Sequence, residues 1–148
     1  MAHEYVIGLG AVFDMAAEFG SSRRAALHRY AETHRSAVAG VLLDHSPAQP
    51  GALVYRRREV VLSRTFEEQF GPARCWPLIL QSPPYTFLAE AGNARTTNGV
   101  IRTEVVLPDI NNACHELEVE ISSNSYNLLV LIWVPRREHG RRRVVVAA

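Results

Sequence analysis

Residues 101–134 read IRTEVVLPDINNACHELEVEISSNSYNLLVLIWV, and the pattern within them is that of three strands. Ile101, Thr103, Val105 and Leu107 alternate with Arg102, Glu104 and Val106. Leu117, Val119 and Ile121 alternate strictly with Glu116, Glu118 and Glu120. A period of two puts successive side chains on opposite faces of a strand. Residues 128–134 are apolar throughout, as expected of a strand covered on both faces. Turn residues at 109–112 and 122–127 separate the three runs, so the spacing predicts an antiparallel meander. Its middle strand offers one face to a core and a row of carboxylates to the other.

Upstream, residues 37–43 form another continuous apolar run of strand length, followed by the turn-rich DHSPAQPG at 44–51. Residues 53–55 and 59–63 suggest two short strands flanking the run Arg56-Arg57-Arg58. Phe66 and Phe70 stand four apart around Glu67 and Glu68 and suggest a helical turn. Pro72, Pro77, Pro83 and Pro84 mark residues 71–84 as a loop crossing the sheet. A short helix is expected over 85–91, with Pro84 near its start and Gly92 just past its end.

The first third is helical in pattern. Val12, Met15, Ala16 and Phe19 recur at the spacing of one helix face. Gly20 is placed to end that helix in a left-handed conformation, and Ser22 to cap a second one beginning at Arg23. Ala26, Leu27, Tyr30 and Ala31 form the second apolar stripe. Residues 1–36 thus predict a tight helix–turn–helix pair, with small Ala16 permitting close contact. The expected fold class is α+β, with this pair packed on a five- or six-stranded, mainly antiparallel sheet spanning 37–135.

Composition narrows the function classes. The chain has 148 residues, 47% hydrophobic and 21% charged, which suits a globular domain able to bury a core. All sixteen basic residues are Arg. Residues 136–148 carry five Arg and one Glu, a net +4, and are expected to form a disordered basic tail. The remaining 11 Arg face 14 acids, a net −3 that disfavours strong nucleic-acid binding. Cys75 and Cys114 lack metal-binding spacing and are expected as reduced core thiols. Without a secretion signal or a membrane-length apolar run, the chain is expected to be cytoplasmic, with no membrane partner.

The run MAAEFGSSRRAALHRYAETH at 15–34, followed two residues later by the strand AVAGVLL, resembles the ImmA/IrrE family of bacterial metallopeptidase-like regulators. Ala16, Phe19, Gly20, Ser22, Ala25, Ala26, Arg29 and Tyr30 carry the match. The segment ALVYRRREVVLSRTFEEQF at 52–70 is similar to the strand pair and phenylalanine-marked segment that follow. The meander is similar to the GAF-like sensor domain that closes the stress-response branch. The family's peptidase module needs HExxH, so that two imidazoles one helical turn apart hold zinc. Here His3-Glu4 has Ile7 in the second His position, and His115-Glu116 has Val119. The resemblance therefore implies the regulatory part without its protease. No catalytic residue, metal or cofactor is expected, and the partner would be a peptidase module, a repressor or a small effector.

Several side chains compete for specific roles. Arg23, Arg24, His28 and Arg29 would face DNA if the second helix were a recognition helix. Yet residues 1–44 hold four Arg and five acids, a net −1. Glu116, Glu118 and Glu120 suggest a solvated face opposed by Arg102. His28 and His34 lie six apart, about 240° around a helix, and do not converge. Trp76, Tyr85 and Phe87 would wall a ligand pocket under a lid at 74–97, with Arg95 and Arg102 as anchors. The same aromatics would equally complete a core. A sensor module is the leading expectation, a helix-turn-helix transcription regulator the alternative, and an enzyme with an unrecognised site the third.

Overall fold

The computed structural model describes residues 6–97, 99–124, 126–135 and 144–145. Helix α1 (Leu9–Phe19) ends on Gly20, whose φ of 64° is the left-handed value a side chain would resist. Helix α2 (Arg23–Thr33) starts on Ser22, whose hydroxyl accepts the Ala25 N–H. Then come β1 (Val38–Asp44), β2 (Val54–Leu62) and α3 (Arg64–Phe70). After them follow β3 (Ile79–Gln81), α4 (Ala91–Thr96), β4 (Ile101–Pro108), β5 (Cys114–Ser123) and β6 (Asn127–Trp133). Every strand pair is antiparallel and the order is β3-β2-β1-β6-β5-β4. A two-residue strand, β7 (Val144–Val145), pairs with Cys114 and His115 of β5. The rest of the 136–148 tail, and His3 and Glu4, lie outside the described residues.

Two cores sandwich the sheet. Val38, Leu42, Leu129, Leu131 and Trp133 face the helix pair and pack against Leu9, Val12, Leu27, Tyr30 and Ala31. Val41, Leu43, Leu117, Val119, Val130 and Ile132 face the other way, onto Phe66, Phe87, Leu88, Ala91 and Ala94. β1 and β6 are central, which is why their sequences are apolar throughout 38–43 and 128–133 rather than alternating. Gly40 lets α2 settle on β1: a Cβ there would meet Leu27 Cγ at 3.2 Å and Ala31 Cβ at 3.3 Å.

Several local expectations are corrected. Residues 54–62 are one strand, not two. Its register on β1 shifts between Leu42↔Glu59 and Leu43↔Arg57, so Arg58 is the extra residue of a β-bulge. The crossing segment contains strand β3 and a 3-10 turn at Ala73–Cys75. The expected helix over 85–91 is a 3-10 turn at Thr86–Glu90 running into α4, so Gly92 lies inside a helix. Phe19 is 69% exposed, because the core face of α1 is Leu9, Val12 and Ala16. Cys75 is exposed, while Cys114 is buried. Among the described residues, no helix is long and apolar enough to cross a membrane.

Candidate functional site

The sheet face under the helix pair is longer than the pair covers. Along β1, Val38, Gly40 and Leu42 lie beneath α2, and alternation brings Asp44 out on the same face beyond its N-terminus. Asn127 opens β6 opposite Asp44. In the turn before it, Asn124 Oδ1 accepts the N–H groups of Tyr126 and Asn127 at 2.8 and 2.7 Å. That bonding leaves the Asn124 amino group as a donor.

The bulge supplies the third wall. Val60 and Leu62 pack on one core and Val61 on the other, so Glu59 belongs to the helix face. Strict alternation would send Arg58 to the opposite face. The extra residue instead places Arg58 beside Glu59 on the same one, where Arg58 Nε donates to Asp44 Oδ1 at 2.7 Å. Glu59 Oε2 lies 3.8 Å from Arg24 Nη2, and its Oε1 lies 3.4 Å from His28 Nδ1.

The result is an open groove of about 640 Å³ lined by Ser22, Arg23, Arg24, Leu42, Arg58, Asn124, Tyr126 and Asn127. Its volume is that of a small-molecule site. Three guanidiniums line it, none saturated. Arg58 has committed one N–H of five, and the Arg24–Glu59 contact is too long for a hydrogen bond. The Arg23 guanidinium carbon sits over the Phe13 ring, 3.9 Å from its centroid. The head of α2 adds the positive end of its dipole.

The four residues expected as DNA contacts are thus divided. Arg23 and Arg24 line the groove, His28 leans on Glu59 and Glu32, and Arg29 is exposed on the outer side of α2. The expected pocket under the crossing segment is divided too. Trp76, Tyr85 and Phe87 come together, with ring centroids 5.6 and 6.1 Å apart, and Trp76 and Phe87 are buried in the core. Burial pushes the Tyr85 phenol pKa up. Arg102 is on the opposite face of the sheet, 5.2 Å above the Trp133 ring and 3.6 Å from Glu118. Arg95 is exposed on α4, whose buried residues are Ala91 and Ala94.

Glu116, Glu118 and Glu120 are each half-buried, with Glu118 3.6 Å from Arg102 as the cross-strand pairing expected and Glu120 against the start of α1. Glu120 Oε1 accepts the Leu9 N–H at 2.7 Å and so caps α1 from the sheet. Behind β5, buried His115 meets Asp109 at 2.7 Å, and Asp109 also accepts the N–H groups of Asn111 and Ala113. These bonds hold the loop between β4 and β5. Among the described residues, no three His, Cys, Asp or Glu side chains gather as a metal-binding set. The groove was missed in sequence because its residues come from four separate segments and one of them depends on the bulge. Compared with known proteins, the chain matches no family model, no curated protein and no solved structure.

Proposed function

We propose that this chain is a regulatory module that senses a small effector, in keeping with its resemblance to the regulatory part of ImmA/IrrE proteins. The observation that carries this reading is the groove where the helix pair meets the sheet, lined from both sides. A ligand there would bridge Ser22, Arg23 and Arg24 on the helix pair to Arg58, Asn124 and Asn127 on the sheet. It would therefore bias how firmly the pair is seated, and a protein partner touching the pair's outer face would read that change. A ligand at 100 times its Kd stabilises the bound state by about 2.7 kcal/mol, enough to drive such a bias.

The DNA alternative has less in its favour. Arg24 and His28 are turned toward Glu59, and the pair's buried stripe lies against the sheet. An amide NMR titration of the full chain against a panel of neutral, cationic and anionic metabolites tests the proposal. Saturable shifts clustered at residues 22–24, 58, 124, 126 and 127 are expected for at least one compound. Shifts scattered over the surface, or none at all, would sink it.

A further inference from the structure

We infer that the groove selects a small polyanion, a molecule carrying phosphoryl or clustered carboxylate groups. This rests on the reading of the groove as an effector site and adds its chemical class. Three guanidiniums enter from two elements, Arg23 and Arg24 from α2 and Arg58 from β2. Among the described residues, two carboxylates pair with them, Asp44 and Glu59, and neither lines the cavity wall. Three charges against two leave the site at +1, in a part of the chain whose total is acidic.

The donors are also of the right kind. A guanidinium fork presents paired N–H groups that match oxyanion geometry. The Asn124 amino group and the Asn127 side chain add neutral polar groups at the opposite rim. Arg58 meets Asp44 through Nε, and its terminal nitrogens, fixed in the same rigid plane, carry further donors for a ligand. Of the eight lining residues two are apolar or aromatic, buried Leu42 and Tyr126, which is 82% exposed. A purely apolar ligand would leave the guanidiniums facing it desolvated and unpaired, at a cost.

Pyrophosphate and malonate, titrated separately into the full chain at constant ionic strength and followed by amide NMR, test this and distinguish phosphoryl from carboxylate recognition. Saturable shifts at Ser22, Arg24, Arg58 and Asn127 with either probe are expected. Arg24→Gln and Arg58→Gln should each weaken binding by roughly three- to tenfold, the effect of one part-exposed charged hydrogen bond. Arg58→Lys keeps the charge and should fall between wild type and Arg58→Gln, while unshifted core resonances report that each variant is folded. Absence of a saturable shift at millimolar probe, or unchanged affinity in both Gln variants, overturns the polyanion inference. If neutral metabolites still shift the groove, only the ligand class fails. If no compound does, the sensor reading falls with it. Salt-sensitive binding of a labelled duplex far tighter than that of either probe would assign the arginines to DNA instead.

Discussion

Replacing Ser63 with alanine removes one oxygen that holds three segments together. Ser63 follows the last residue of β2, and its N–H donates to the Val38 carbonyl at 2.9 Å, as the next rung of the ladder would. The chain then turns into α3, so no carbonyl returns the bond. The side chain does: Ser63 Oγ accepts the Val38 N–H at 2.9 Å and the Phe66 N–H at 3.2 Å, and donates to the Ser36 carbonyl at 2.7 Å. Ser63, Val38 and Phe66 are each 0% exposed, so water has little access to the groups left behind. Loss of the helix cap costs about 1 kcal/mol. An unsatisfied buried Val38 amide adds roughly 1–3 kcal/mol. We expect Ser63→Ala to lose about 2–4 kcal/mol in urea unfolding followed by circular dichroism. Ser22→Ala is the internal control, because Ser22 caps α2 in the same way but is exposed, and should lose only about 0.5–1 kcal/mol. Equal losses in the two variants would refute the claim that burial of the orphaned amide, rather than capping, dominates.

Gly40→Val should unseat the helix pair by pushing on Leu27 and Ala31, costing about 1–3 kcal/mol. Amide exchange should accelerate in α2 more than in α3 or α4, and uniform acceleration would contradict the two-core description. The Asp109 pKa is pulled below its ordinary 3.8, first by the His115 hydrogen bond and then by the Ala113 and Asn111 amides. Its contribution to stability is therefore fully present above pH 3.8 and is lost as pH falls through the lower folded value. Asp109→Asn should be less stable than wild type at neutral pH, and the gap should narrow as pH drops below 3.8. A gap that stays constant in acid would show that the carboxylate's charge is not what holds the loop.

Where a run of residues met one uniform environment, periodicity was sufficient. The alternation in β4 and β5 assigned Val105, Leu117, Val119 and Ile121 to a core, and the apolar runs of β1 and β6 marked strands covered twice. The caps at Gly20 and Ser22 were equally legible, because left-handed φ and an exposed amide each select few residue types. Local pattern failed where tertiary packing set the outcome. Phe19 completes a helical stripe, yet it is exposed, because the packed face of α1 runs through Leu9, Val12 and Ala16. Arg102 follows a perfect alternation, but which face that alternation served was invisible until α1 and α2 took one side.

The groove depends on a misread residue of this second kind. Arg56-Arg57-Arg58 looks like an interruption between strands, since three cations in succession suit neither face of a buried sheet. The strand carries them by giving each a different outlet. Arg56 is exposed, Arg57 spans to the Pro77 and Trp76 carbonyls at 3.0 and 3.4 Å, and Arg58 takes the bulge. An irregularity that re-aims one side chain and leaves the ladder otherwise intact is how a sheet delivers a charge to a chosen face. Had β2 been regular, Arg58 would have faced the core that Phe66 and Trp76 fill, and only the two arginines of α2 would remain at the groove. The departure from period two is thus the feature that turns an uncovered corner of the sheet into a cationic site.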